Sequence, residues 1–365
     1  MKQKFLISGV RPSEGGAGEV LNMLIPIAIQ NGFVVIIPKG NGYTSDERHA
    51  ISSIRSSVVV FFHIQTVGLE LIRKIANDTS NETRLYVLDA SFFCMRSYNY
   101  HGSSYNECLR CLKDPTLAHS SCKPFPFDYS RDENLNFLSW LHENFTKFTF
   151  YLQNYSQAAL LSTHFGALCK IKVIGLHASN IITPKSETFP YLNEHSGTNL
   201  PEHRYDIIFH GSAELAKGSR YCVELAGELC EFSFLLPFHE HFSTALDLQF
   251  RGLKNVTHRP MRWDSGLLDA TKSARLVLCP SLWSAPIEIA LLKSMVVNGL
   301  VGVIEGHFKF CSEIPRDLLL RLPSDPVAAS SIVRKELSTP TIDRRLVNEW
   351  VQNYISNVDL SPLFT

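Results

Sequence analysis

The sequence predicts an α/β protein made of two successive β/α halves, and three observations carry that prediction. Short apolar runs of the kind that form buried strands alternate with segments of helical period along most of the 365 residues. A stretch rich in Pro, Ser, Thr, Asn and Glu, Ser179–Arg204, lacks sustained periodicity and divides the alternation in two. Ala274–Glu305 condenses the pattern into one unit that reads strand, loop, helix, strand. The length suffices for two ordinary domains.

Lys4–Val10 is the first strand, and Arg11–Glu19 (RPSEGGAGE) is a glycine-rich turn entering a helix that runs to about Gln30. Gly15, Gly16 and Gly18 permit positive φ and close backbone approach. The N–H groups of this helix start can hold a phosphate or sugar oxygen; otherwise the segment is a plain tight turn. It is not G-x-G-x-x-G and no Lys-Ser/Thr follows, so neither a dinucleotide fingerprint nor a P-loop is present. Phe33–Ile37, Val58–His63 (VVVFFH) and Leu85–Leu88 read as further strands, with helices over Asp46–Arg55 and Thr66–Asn77. His63 and Asp89 fall at the carboxyl ends of strands, the edge at which open α/β sheets bind ligands. His63 is either a satisfied strand-end histidine or a residue facing that edge. Helices over Glu133–Phe145 and Ser156–Phe165, with strands over Phe148–Gln153 and Lys172–Leu176, complete this half.

The second half opens with a strand at Tyr205–His210 and a helix whose apolar stripe is Tyr221, Leu225 and Leu229. Lys217 stands at the helix start, where the dipole disfavours a cation. An anionic ligand would explain it; a solvated lysine is the plainer account. Glu231–Leu236 is a strand, and Asn255–Trp263 brings His258, Arg259 and Arg262, as surface charges or as contacts to an anion. In Ala274–Glu305, Leu276–Cys279 is the strand and Pro280-Ser281 ends it. Pro286 suits the first turn of a helix over about Ile287–Val297, Asn298-Gly299 caps it, and Leu300–Ile304 is the next strand. Glu288, placed in the first helical turn, is either a dipole-stabilised surface carboxylate or one that receives the hydroxyls of a bound sugar. Thr341–Ile355 carries Ile342, Leu346, Trp350 and Tyr354 at helical spacing.

Lys+Arg and Asp+Glu number 35 each, so no net field recruits nucleic acid or an anionic membrane. The 45% hydrophobic and 19% charged fractions are those of an ordinary globular chain. No apolar run is long enough to span a bilayer, and Phe5–Val10 is too short for a signal-peptide core. A cytoplasmic location is expected, with peripheral contact at the inner face of a membrane left open. Of nine cysteines, Cys94, Cys108, Cys111 and Cys122 cluster in one polar segment. Four such thiolates could hold a structural Zn²⁺, or they are unpaired thiols.

Two stretches carry a resemblance to a known family. Ala274–Glu305 resembles the donor-site segment P-S-x-W-x-E-P-x-G-x-x-x-x-E-A-M-x-x-G-x-P-V of family 4 GT-B glycosyltransferases, matching at Pro280, Ser281, Trp283, Pro286, Met295 and Val301. The family's two glutamates fall at Ala285 and Lys293, and Glu288 lies about one helical turn after the first. Leu88–Asp114 resembles the H-D-x-W-F-x-C and C-x-x-C segments of bacterial polysaccharide glycosyltransferases, matching at Asp89, Phe92, Cys94, Cys108 and Cys111, with Leu88 in place of the histidine. Gly211 and Lys217-Gly218 match G-R-L-x-x-x-K-G, with Ser212 at the arginine.

The resemblance implies two Rossmann-like domains facing a cleft. These are an acceptor-binding domain over 1–185 with a Cys-rich insertion at 94–122, a linker over 186–204, and a nucleotide-sugar-binding domain over 205–340. A C-terminal helix within 341–365 returns to the first domain. It implies transfer of a sugar from a nucleotide-diphosphate donor to a glycan or lipid-linked acceptor in bacterial surface polysaccharide synthesis, with retention and without a catalytic metal. Catalysis would involve Glu288, Asp89 and His63. The donor would meet Gly15, Gly16, Lys217, Gly218, Arg259, Ser281 and Lys293. A binding subunit that kept the fold and lost turnover, or a nucleotide-sugar epimerase, are the alternatives.

Overall fold

A run such as Ser57–Phe62, buried at all six positions, needs apolar cover on both faces, and a parallel sheet flanked by helices supplies it. The computed structural model describes residues 2–12, 15–40, 42–102, 105–125, 129–176, 205–244 and 252–365. Within them lie two six-stranded sheets, and every pairing in both is parallel.

The first sheet comprises β1 (Gln3–Ser8), β2 (Val34–Ile36), β3 (Ser57–Phe62), β4 (Glu82–Tyr86), β5 (Phe148–Leu152) and β6 (Lys170–Val173), in the order β2-β1-β3-β4-β5-β6. Its edge strand β6 alternates exposed lysines with half-buried apolar residues, which protects an open edge. The second comprises β7 (Ile207–Phe209), β8 (Phe234–Leu236), β9 (Val256–His258), β10 (Leu276–Leu278), β11 (Val301–Ile304) and β12 (Leu320–Leu322), in the order β12-β11-β10-β7-β8-β9. In each, the first strand of the half lies inside the sheet and the chain builds outward to both sides. The strand order therefore reverses beside it, and the loops at the carboxyl ends of the central strands come together.

The chain divides into two compact units. One contains the described residues of Met1–His101, Cys108–His177 and Asn357–Thr365; the other contains those of Gly102–Glu107 and Ala178–Ser356. The expected linker at 186–204 lies outside the described residues. The C-terminal region is shared between the two units. The helix Arg344–Ser356 stays with the second unit, where Trp350 and Tyr354 stack with ring centroids 5.3 Å apart and Tyr354 meets Phe310 at 5.4 Å. Its buried stripe is Val347 and Val351, both at 0% exposure, while the predicted stripe residue Leu346 is 41% exposed. Only the last residues join the first unit. Phe364 packs edge-on against Phe33, centroids 5.3 Å apart, and Arg84 donates to the Leu363 carbonyl at 2.7 Å.

Candidate functional site

In the first unit, β3 and β4 are neighbours and deliver His63 and Asp89 to the same sheet edge. His63 Nε2 lies 3.2 Å from Asp89 Oδ2, and both residues are buried. Oδ1 of the same carboxylate accepts the Ser91 amide at 2.9 Å and the Ser91 hydroxyl at 2.5 Å. Burial would raise the Asp89 carboxyl, but the His63 ring and the Ser91 hydrogen bonds outweigh it and hold the group below the usual range. Asp89 is thus a fixed anion that orients the imidazole.

His63 is one of three non-glycine residues described with positive φ, at +66°. Strain of this kind in a buried residue persists only where its surroundings enforce it. They do so here through Thr66, whose hydroxyl donates to the His63 carbonyl at 3.0 Å and lies 3.2 Å from Nδ1. The backbone of Thr66 in turn abuts Gly9 at the end of β1: a Cβ on Gly9 would sit 1.9 Å from the Thr66 carbonyl oxygen. Gly15 and Gly16 open the helix Gly15–Gln30, are exposed, and have nothing within 4 Å of an added Cβ. Packing therefore does not require glycine at either position.

The second unit assembles Lys217, Ser281 and Glu288. Lys217 Nζ lies 2.5 Å from Glu288 Oε1 and 4.8 Å from the centroid of Trp283; Ser281 Oγ donates to the same Oε1 at 2.7 Å. Glu288 is not in the first helical turn. It is the N-cap residue of the helix Ile289–Val297, with φ −92° and ψ 115°. An N-cap acid ordinarily accepts from its own helix N–H groups. Glu288 makes no such bond and turns its carboxylate to Lys217 and Ser281. Gly218 serves packing: its φ is +85°, and a Cβ would lie 2.4 Å from the Pro280 carbonyl oxygen. A small cleft, partly open to solvent, is lined among others by Ser281, Glu288, Cys279, Lys309 and Phe310.

Other predicted donor residues stand apart from this trio. Lys293 is buried with its ammonium 5.1 Å from the centroid of Trp263, whose indole stacks on His210 at 5.0 Å and 5°. His210 Nδ1 meets Ser294 Oγ at 2.8 Å, and desolvation, with Lys293 nearby, pushes its pKa down to about 3. Arg259 is exposed at the end of β9, where its amide donates to the Leu236 carbonyl.

Cys94 and Cys111 are buried, with their thiols close enough to interact. That contact raises Cys94 well above the thiol range and, with Arg110 and Arg131, lowers Cys111. Cys108 and Cys122 are half-buried neighbours. Among the described residues no group of three or more His, Cys, Asp or Glu side chains is placed to hold a metal ion. What the geometry shows is a thiol pair. Sequence reading also missed Lys309, a single lysine outside any motif, and the stacked His210–Trp263 pair, which lie 53 residues apart (263 − 210).

No family model and no curated protein matches the chain. Solved structures do. Sucrose-phosphate synthase from Thermosynechococcus elongatus superposes with a TM-score of 0.64 at 9% identity, over 100% of this chain and 96% of that one. HepE from Anabaena, in complex with UDP and glucose, gives 0.61 at 11% identity over 99% and 97%. A glycosyltransferase from Rickettsia africae gives 0.56 at 12% identity over 100% and 96%. Identities this low speak to fold alone. No helix among the described residues is long and apolar enough to cross a membrane. The two parallel six-stranded sheets, shared with these proteins along essentially the whole chain, are the GT-B fold of glycosyltransferases.

Proposed function

We propose that the chain is a glycosyltransferase that moves a sugar from a nucleotide-diphosphate donor to a glycan or lipid-linked acceptor. One observation carries the reading: Glu288 forgoes capping its own helix and holds its carboxylate against Lys217 and Ser281. The helix N–H groups that Glu288 does not cap, with the Lys217 ammonium, form a site for the leaving diphosphate, whose charge grows as the glycosidic bond breaks. The Glu288 carboxylate receives sugar hydroxyls. In the first unit, His63 held by Asp89 serves the acceptor side. HepE has been solved with UDP-glucose, which supports a nucleotide sugar as the partner here. Retention of configuration, a role in bacterial surface polysaccharide and action at the inner face of a membrane belong to this proposal.

A thermal-shift screen against UDP, GDP, dTDP and CMP and their sugar conjugates tests it, because ligands that bind only the folded state raise apparent stability. A selective shift followed by transfer to an acceptor is expected. No shift in folded protein overturns the reading. Binding without turnover points to a subunit that kept the fold and lost catalysis, as Ala285 and Lys293 at the family's glutamate positions would allow.

A further inference from the structure

Lys309 is 2% exposed, and the hydrogen-bond partners of its ammonium are backbone carbonyls: Ser281 at 2.8 Å, Ile304 at 3.3 Å and Glu305 at 3.5 Å. The lysine folds back over Gly306, where an added Cβ would lie 2.4 Å from Lys309 Cε. Burying an ammonium is unfavourable, and the three carbonyls offset that cost by accepting its N–H groups. The charge also sits where it bears on a ligand. The three carbonyls lie at or just past the carboxyl ends of β10 and β11, at the edge where the candidate donor site forms, and their negative ends would repel an anion. Lys309 lines the same cleft as Glu288. Ser281 joins the two: its carbonyl accepts from Lys309 and its hydroxyl donates to Glu288.

We propose that Lys309 is the second cation of the donor site. It turns a cluster of strand-end carbonyls into a surface that accepts a diphosphate, and it fixes Ser281, and through it Glu288, in register with Lys217. The proposal rests on the donor-site reading of the second unit. By this account Lys309 is a positioning residue acting through Ser281 and through its field, beside the direct contact assigned to Lys217.

The test is calorimetric titration of wild type, Lys309→Met, Lys309→Gln and Lys217→Met with the nucleoside, monophosphate and diphosphate of uridine and of guanosine. For whichever series binds wild type, Lys309→Met should weaken the diphosphate about tenfold, the monophosphate less, and the nucleoside by about twofold at most, as loss of a charge-assisted interaction predicts. A purely structural role would not grade with phosphate number. Equal loss across the series, or none, overturns the proposal, and Lys309→Gln gives the same reading if the methionine variant does not fold. Lys217→Met separates the two claims. If it loses diphosphate affinity while the Lys309 variants do not, only the role of Lys309 falls. If wild type binds diphosphates no better than nucleosides, the donor reading falls and takes this proposal with it.

Discussion

Lys217 and Glu288, 71 residues apart in sequence, form a 2.5 Å ion pair in which the ammonium and the Ser281 hydroxyl share one carboxylate oxygen, Oε1. The ammonium is the group a diphosphate would claim, and the carboxylate is the one sugar hydroxyls would claim. On the proposed reading each ligand group would compete with the ion pair, and a donor carrying both would replace it on both sides.

Glu288→Gln should release Lys217 from this competition. Binding of a bare nucleoside diphosphate is expected to tighten a few-fold, by roughly the worth of one partly buried charge contact. Sugar transfer should fall about a hundredfold, because the anion facing the sugar is lost. Lys217→Met should weaken diphosphate binding, and in that background Glu288→Gln should bring no gain. Calorimetry and a transfer assay on the four proteins check this. A gain of equal size in both backgrounds would mean that Glu288 does not restrain Lys217.

His63 separates ring chemistry from backbone strain. Asparagine tolerates positive φ, whereas a β-branched residue does not. His63→Asn and His63→Val both lose the partner of buried Asp89, so the strain is read from their difference: His63→Val should be less stable than His63→Asn by about 1–3 kcal/mol. Both remove the imidazole, and both should lower transfer about a hundredfold if it acts on the acceptor proton. Full activity in His63→Asn would reduce the histidine to a structural residue.

His210 makes stability depend on pH. Its folded pKa of about 3 lies below the ordinary 6.5, so the unfolded chain binds a proton between those values that the folded chain does not. Stability is complete above pH 6.5 and is lost as pH falls through the window, by about 1.4 kcal/mol per unit, or roughly 2 kcal/mol at pH 5. Denaturant unfolding from pH 7 to 5 should show this slope, and His210→Asn should lessen it. An unchanged slope in the variant would assign the effect elsewhere, with His164, also depressed to about 3 by burial and His142, the next group to replace.

Cys94 and Cys111 should behave as a reactive pair. Each thiol shifts the other's titration, and the lowered Cys111 favours the thiolate that disulfide formation needs. Under mild oxidation, peptide mapping should find these two cysteines linked first. Linkage of Cys108 to Cys122 first would contradict it. Elemental analysis of gently purified protein tests the four-thiolate zinc centre suggested by the spacing. Stoichiometric zinc would mean that all four sulfurs turn onto one ion.

The local fold was legible wherever one physical signal dominated. Val58–Phe62 has a single apolar reading, and Asn298-Gly299 ends its helix with Gly299 at φ +83°. The polar half of the site was legible less evenly. His63 with Asp89, and Lys217 with Ser281 and Glu288, could be placed at sheet edges from their positions after strands, but which partners they would meet could not. The register of the helix after Pro286 was read two residues early. A first-turn acid and an N-cap acid look alike in sequence, yet only the second can turn away from its own helix.

By itself, the sequence determined that the chain forms two parallel α/β sheets, because runs buried on both faces and helical stripes are properties of neighbouring residues. It also placed His63, Asp89 and Ser281 just after strands, at the carboxyl edges of the sheets. The tertiary structure alone decided the rest. It put Glu288 on Lys217, stacked His210 on Trp263, and drew Lys309 under Ser281. It also kept the helix Arg344–Ser356 on the second unit while sending Phe364 to Phe33. Each is a contact between residues distant in sequence, fixed by competition among many burial and charge energies that no local pattern records.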